Sequence, residues 1–564
     1  MNESQEPTGS GATCDIGPNV YACPGEESKI PVNYLMTKKG YLHPMKTYVY
    51  ITLFIVGLMS ALWFVLGISP NATGTIPPSF GATDMYFHSI AIGIAALLVY
   101  LVIMSWDLDR CEPNIDFPIA YRALVATVIG AIGAIFYLRP VFQAFLWPLP
   151  LGLIFIGLLF LGDVGGALMV ELYLLPGKRA GTYDPSQNIL GMIPKWRYLP
   201  SWEDFRRMDA TYWLTFVTVI GAVIAGIIGF VSLFLNYVVI DMGQTPALIQ
   251  GYMNWMGGAQ TWFGYTVGSH SHVMGMTLIL GVVAVTAKRF KVLDLTGLPL
   301  KVAKFGMWVS GVGIIVMVTV FLLEAFSTVW PNSTPPLLFA SNPSGLQLWS
   351  FTDANGMAGD DSTMLLASAG AMILLVPLFM TRIHDRPVWK DPIRTSVLLT
   401  WIFAYIATPI EGFYIEFHEA TMYGMPIDLV FGNLQYFALF GIATITMTFL
   451  AVDYFQNKDR ILTSVAFFGT LVTAFTLVAS FIYVYFDAGR LIPDGTSLAG
   501  TTLWGYIFSG GLLLMSFVVF GAMIAVYFGV DERISTLATL RLDSPKSIKS
   551  QQPPPGTAVV AERP

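Results

Sequence analysis

The 564-residue chain is poor in charge and in cysteine, and these two shortages exclude several classes of protein. Asp, Glu, Lys and Arg make up only 12% of the residues, whereas globular domains contain about twice that fraction, so a soluble globular protein is excluded. Three cysteines exclude a disulfide scaffold and a cysteine-rich zinc or iron–sulfur site. The 30 Lys and Arg stand against 36 Asp and Glu with no strongly basic segment, which excludes a nucleic-acid partner.

Apolar sequence is abundant instead: 55% of the residues are hydrophobic and the mean hydropathy is +0.63. Runs of ~20 apolar residues are long enough to cross a bilayer as helices. They predict an all-α, polytopic membrane bundle of about twelve helices, embedded in lipid, near residues 47–67, 85–106, 118–138, 148–172, 211–238, 267–287, 303–325, 363–381, 395–412, 429–452, 462–486 and 503–529.

The membrane domain predicted at 47–530 lies between a polar N-terminal segment, 1–46, and a tail, 531–564, whose proline-rich sequence is typical of disorder. With twelve spans, every Lys and Arg except Arg139 and Arg490 falls on the side of the two termini. Because positive residues favour the cytoplasmic side, we expect both termini in the cytoplasm. We also expect the protein in the cell (plasma) membrane.

Six histidines occur in the chain, and three of them share one predicted depth. His88 is about one turn inside the outer end of the second span, and His270 and His272 are about one turn inside the outer end of the sixth. Ionisable groups within a bilayer are costly and are commonly functional. Two residues apart on a helix differ by about 200° in direction, so His270 and His272 cannot chelate one ion together, but each can serve a centre of its own. Neutral imidazole is a common axial ligand of haem iron; the alternative is a hydrogen-bonded packing residue.

With this spacing, the chain resembles subunit I of the haem-copper oxidase superfamily, which includes the nitric oxide reductases. The resemblance covers about the first two spans and the fifth and sixth. It implies that His88 and His272 hold a low-spin haem b and that His270 holds a second, high-spin haem on the other face of its helix.

The chain departs from this family in two respects. Its His-x-His pair is on the sixth predicted span rather than the tenth, and the family's three further copper-ligating histidines have no counterpart, since His43 and His384 are predicted at the cytoplasmic side. A second metal is then either absent or held by His418 with carboxylates such as Glu416, a ligand set that suits iron or manganese. Glu411, in apolar sequence beside a proline, is a candidate proton carrier or quinol-binding carboxylate; the simpler alternative for this segment is a polar helix end.

Four other charged residues are candidates for the same centre. Arg139 and Arg490, on the outer side, are suited to bind haem propionates, or are ordinary loop residues. Asp163 and Glu171, both on the fourth span, are about 80° and ~12 Å apart on a helix. They form either a proton path from the cytoplasm or a polar helix-packing site among glycines.

The sequence therefore predicts a respiratory membrane protein with one or two haems b, supplied with electrons by quinol or a redox protein and associated with other respiratory subunits. The resemblance implies an oxidoreductase of the terminal oxidase, nitric oxide reductase or quinol-oxidising kind, and leaves open whether this chain itself catalyses a reaction. Two alternatives remain: a twelve-helix secondary transporter, or a haem-free structural subunit of a respiratory complex.

Overall fold

A computed structural model of the chain describes the following residues: 44–67, 82–106, 108, 113–137, 148–180, 182, 199–236, 259–327, 358–383, 393–402, 441, 443–455 and 503–529, with a few others near 35–42, 188–194, 386–391 and 468–472.

The described part of the chain is helical apart from three very short antiparallel strand pairs. The helices are α1 Pro44–Gly67, α2 Ala82–Ser105, α3 Pro113–Tyr137, α4 Pro148–Ala180, α5 Trp202–Arg206, α6 Ala210–Asn236, α7 Ala259–Arg289, α8 Gly297–Ser327, α9 Ala358–Met380 and α10 Leu503–Phe528. Two shorter helical stretches lie at 393–402 and 443–454. The strands pair as β1 Leu35–Thr37 with β2 Gly40–Leu42, β3 Asn188–Ile189 with β4 Ile193–Pro194, and β5 Arg382–Ile383 with β6 Arg386–Pro387.

Seven of the described helices are long and apolar enough to cross a membrane: α1, α2, α3, α4, α6, α8 and α9. The chain is thus a multi-pass membrane protein whose apolar helices are suited to contact with lipid. The helices coincide with predicted spans, although α4 continues to Ala180 and α8 begins at Gly297, each beyond the predicted limit.

Helix α2 lies in the interior and contacts α1, α3, α4 and α7. Its side chains are buried on nearly every side from Tyr86 to Met104, as expected for a helix that is apolar all round. Helices α8 and α9 approach most closely through glycine: a Cβ added to Gly313 would lie 2.5 Å from the backbone nitrogen of Ala367. Such close backbone approach through small residues is typical of packed membrane helices.

Charged side chains join the helices at one end of the bundle. The side chain of Asp453 is 1% exposed, and its Oδ2 accepts a hydrogen bond from Nε of Arg289 at 2.8 Å. Nε of Arg394 lies 3.7 Å from Oδ1 of the same carboxylate. One buried carboxylate therefore connects α7 to the helical stretches 393–402 and 443–454. At the same end, Lys46 donates from Nζ to the carbonyl of Gly529 at 2.5 Å.

Candidate functional site

The relative level of α2 and α7 is set by a cation–π contact at this charged end of the bundle. Nζ of Lys288, in the last turn of α7, lies 4.2 Å from the ring centroid of Trp106, which directly follows α2. The guanidinium of Arg179 also lies 5.2 Å from the same ring. Counting back from Trp106 and Lys288, His88 and His270 are each eighteen residues earlier. At 1.5 Å per residue both lie about 27 Å from the charged end, so the structure brings the two histidines to one level.

His270 points from α7 towards α6, where it bonds to the main chain. Its Nδ1 lies 2.8 Å from the carbonyl oxygen of Ala225. A carbonyl can only accept, so Nδ1 carries the hydrogen and Nε2 of the neutral ring is the lone-pair nitrogen. The residue as a whole is of intermediate exposure. A histidine whose Nδ1–H is held by a backbone carbonyl has the tautomer and orientation that metal-ligating histidines commonly have.

Gly229 provides the space that the His270 ring occupies. A Cβ added at position 229 would overlap the ring, with Cε1 and both nitrogens as its nearest atoms. One turn earlier, Ala225 supplies the carbonyl. A glycine at position 229 is therefore required for the observed position of His270, whereas position 225 contributes its main-chain carbonyl.

His88 lies close enough to His270 for the two imidazoles to interact electrostatically. It packs edge-on against Phe87, with ring centroids 5.4 Å apart and planes at 89°, and it too is partly accessible. Position 272 is on α7, about 200° around the helix from position 270, and its side chain lies outside the described residues. The structure therefore brings His88 near His270 and leaves the predicted pairing of His88 with His272 as a prediction.

Two buried hydroxyl groups on the same turn of α2 as His88 lack partners among the described residues. They are the Tyr86 hydroxyl and Ser89 Oγ. Buried polar atoms are nearly always hydrogen-bonded in native structures. Positions 86 and 89 lie about 200° and 100° from position 88 around α2, so these hydroxyls are on other sides of the helix from His88. Sequence reasoning centred on histidine missed them, as well as Ala225 and Gly229; the hydroxyls flank His88 in the sequence, but nothing in the pattern indicates their burial.

The two imidazoles are donors of a kind that haem iron accepts, and Nδ1 of His270 is held by a backbone carbonyl. Among the described residues, no three His, Cys, Asp or Glu side chains come together as a metal site.

Asp163 and Glu171, the predicted proton path, each have a cationic partner of their own. Asp163 pairs with Arg122 of α3 and is half exposed at the surface of the bundle, with 50% of its side chain accessible. Glu171 is buried and accepts from Nζ of Lys178 at 2.5 Å on the same helix. These ion pairs favour structural roles for both carboxylates, and the proton path stays a prediction.

The remaining predicted site residues lie outside the described part of the chain. They are Arg139, Arg490, Glu411, Glu416 and His418, and His43 and His384 lie outside it too. The proposed propionate partners and the second metal site therefore stay predictions.

Comparison with known proteins gives no relative: no family model, no curated protein and no solved structure matches this chain.

Proposed function

We propose that the chain is a twelve-span b-type haem protein of a respiratory chain in the plasma membrane, with both termini cytoplasmic. His88 and His272 would hold a low-spin haem, and His270 would hold a second haem. The observation that carries the proposal is the bond between Nδ1 of His270 and the Ala225 carbonyl, 2.8 Å long, at the level of a second imidazole on α2. When bound, haem iron supplies one-electron chemistry, and with two axial histidines it transfers electrons only.

Each side chain has a defined part in this proposal. The Ala225 carbonyl keeps the hydrogen of His270 on Nδ1 and so leaves the Nε2 lone pair for an axial bond. The apolar side chains of α2 exclude water from the region, since they are buried along almost the whole helix. Electrons would come from a quinol or a redox protein, and neighbouring respiratory subunits would be the partners.

A second candidate, a haem-free structural subunit, is favoured by one specific observation. The ring of His270 fills the gap beside Gly229 and satisfies the Ala225 carbonyl, which is also what a histidine that only joins two helices would do. The two functions differ in whether iron porphyrin is present.

Pyridine haemochrome analysis and reduced-minus-oxidised spectra of the purified full-length protein distinguish these candidates. We expect haem b in the wild type, loss of one haem signal in both His88→Ala and His272→Ala, and loss of a different signal in His270→Ala. His384→Ala, predicted at the other side of the membrane, is the control and should keep the full haem content. A colourless wild-type protein, or identical loss from all three substitutions, would contradict the two-haem proposal.

A further inference from the structure

Helix α4 has an exposed face that carries a charged residue within the membrane span. The positions Gly152, Ile156, Leu159, Asp163 and Gly166 follow one another at intervals of four and three residues, which places them on one stripe of the helix. Gly162 adjoins Gly166 at one edge of it, and these six residues are called the α4 stripe. Leu159 is 61% exposed and Ile156 is 44% exposed. Of the seven candidate membrane-spanning helices, α4 is the least buried in the described part of the chain.

Asp163 lies near the middle of the 32-residue apolar segment Leu149–Ala180. It is paired with Arg122, yet 50% of the Asp163 side chain and 27% of the Arg122 side chain remain accessible. Charged residues inside spanning helices almost always face the bundle interior or a water-filled cavity, because hydrocarbon solvates them poorly. An ion pair on the outward side of the bundle therefore calls for a protein surface that covers it.

The glycines of α4 divide into two groups with different surroundings. On the inward side, a Cβ added to Gly157 would lie 3.1 Å from the carbonyl oxygen of Ala126, and one added to Gly165 would lie 2.9 Å from Cγ2 of Val223. On the outward side, a Cβ added to Gly152, Gly162 or Gly166 would meet no atom of the described residues within 4 Å. The inward glycines allow neighbouring helices of the same chain to pack closely against α4. The outward glycines would allow another helix to approach equally closely.

Gly162 and Gly166 are four residues apart and form the small-xxx-small spacing that allows two membrane helices to approach closely. The ion pair lies immediately beside this spacing and gives the surface both signs of charge. In a two-fold symmetric contact a surface meets its own copy, so it must be complementary to itself. A surface with one acid and one base meets this condition, whereas a surface of one sign does not.

From the open glycines and the half-exposed ion pair together, we propose that the α4 stripe is the contact between two copies of this chain within the membrane. In that dimer the two α4 helices cross at Gly162 and Gly166, and the Arg122–Asp163 pairs of the two copies adjoin. The described contact within one copy uses Nη1 of Arg122 and Oδ2 of Asp163. Nη2 of Arg122 then binds the partner's Asp163, and Oδ1 of Asp163 binds the partner's Arg122.

Disulfide crosslinking in membranes tests whether the two stripes meet. Leu159→Cys, in a background with Cys14→Ser, Cys23→Ser and Cys111→Ser, should give under oxidation a covalent species of twice the 61.9 kDa chain mass. Ile315→Cys is the matched control, since Ile315 is also an exposed apolar residue of a spanning helix, at 53% accessibility on α8. Absence of the dimer, equal dimer from the control, or an adduct with a different protein would overturn the proposal.

A second experiment measures the dimer without relying on crosslinking. Gly162→Ile combined with Gly166→Ile adds bulk where one copy has open space, so the protomer should fold as before. Gly311→Ile on α8 is the control, because a Cβ there also meets nothing within 4 Å. In single-molecule photobleaching of liposome-reconstituted protein we expect the double variant to lower the dimer fraction at least tenfold and the control to leave it unchanged. An unchanged dimer in the double variant, or a monomeric wild type, would refute the contact.

A charge exchange gives an independent readout of the ion pair. Arg122→Asp or Asp163→Arg alone places like charges together and should lower the dimer fraction, and the two combined should restore it. If the combined variant stayed monomeric while remaining folded by circular dichroism, charge complementarity would not hold the dimer. None of these measurements depends on haem, so this proposal and the proposed function can fail separately.

Discussion

Lys288 contacts Trp106 with its ammonium 4.2 Å from the centre of the indole ring, and this contact joins α7 to the end of α2. The two helices run in the same direction from it, so residues at equal distance from it along the chain lie side by side. His88 and His270 are such a pair. The contact is reinforced by Asp209, which accepts from Nζ of Lys288 at 3.1 Å and so joins α6 to the same end. Polar contacts at one end of the bundle thus accompany the alignment of α2 and α7 that gives His88 and His270 a common level.

The fit between Gly229 and His270 predicts a specific effect of one added methyl group. In Gly229→Ala the new Cβ overlaps the imidazole ring, so the ring must move and lose its bond to the Ala225 carbonyl. Inserting a methyl group into a packed site costs about 1–3 kcal/mol of stability. We therefore expect a lower thermal unfolding temperature in detergent and loss of the same spectral signal that His270→Ala removes.

The control for this substitution is Gly226→Ala on the same helix. A Cβ there would lie 3.3 Å from Cε of Met274, the flexible end of a long side chain, which can move aside. This variant should have the wild-type unfolding temperature and spectrum. Equal behaviour of the two alanine variants would show that the space at Gly229 does not position His270.

Asp209 predicts a pH dependence of stability. Burial alone would raise the pKa of this carboxyl group. The charge of Lys288 and hydrogen bonds from Thr211 and the Tyr212 backbone outweigh burial and lower the pKa below its ordinary value of 3.8. A carboxyl group with a depressed pKa in the folded state stabilises the fold above the unfolded-state pKa, and this contribution is lost as the pH falls through the folded-state pKa.

The matched variant for this prediction is Asp209→Asn, because Asn still caps the N-terminus of α6 but carries no charge. Wild type should unfold at a higher temperature than Asp209→Asn at pH 6–7, and the difference should shrink as the pH falls below 3.8. Thermal unfolding followed by circular dichroism across this range checks it. A difference that is constant with pH would mean that the charge on Asp209 contributes nothing to stability.

Asp453 is predicted to be the most sensitive carboxylate at the charged end. It is 1% exposed and lies between Arg289 and Arg394. Removing one partner of a buried ion pair typically costs about 3–5 kcal/mol, because the remaining charge is left uncompensated. Asp453→Ala should therefore greatly lower the unfolding temperature and the yield of folded protein.

Asp294→Ala is the control for this loss, since Asp294 is exposed in the short turn between α7 and α8. It should change the unfolding temperature by little, because exposed substitutions usually lie within about 0.5 kcal/mol of neutral. If the two variants unfolded alike, the Asp453 cluster would not hold the helices together.

The positions of the spanning helices could be predicted from sequence, and so could part of the candidate site. A bilayer accepts only segments that satisfy their own backbone hydrogen bonds and expose apolar side chains, so length and hydropathy alone mark where α1, α2, α3, α4, α6, α8 and α9 lie. Counting inward from the ends of the predicted spans, of which the sixth corresponds to α7, also gives His88 and His270 a common depth, because each residue adds a fixed rise. That depth agrees with the register seen between Trp106 and Lys288.

The direction of each side chain was decided only by the tertiary structure. A membrane helix is apolar on the side that meets lipid and on the side that meets protein, so its hydrophobic pattern does not tell one from the other. For this reason the sequence could offer Asp163 as a proton carrier but could not indicate that it lies outward beside Arg122. Likewise it could locate His270 in depth, but only the packing of α7 against α6 determined that its ring meets Ala225 and Gly229.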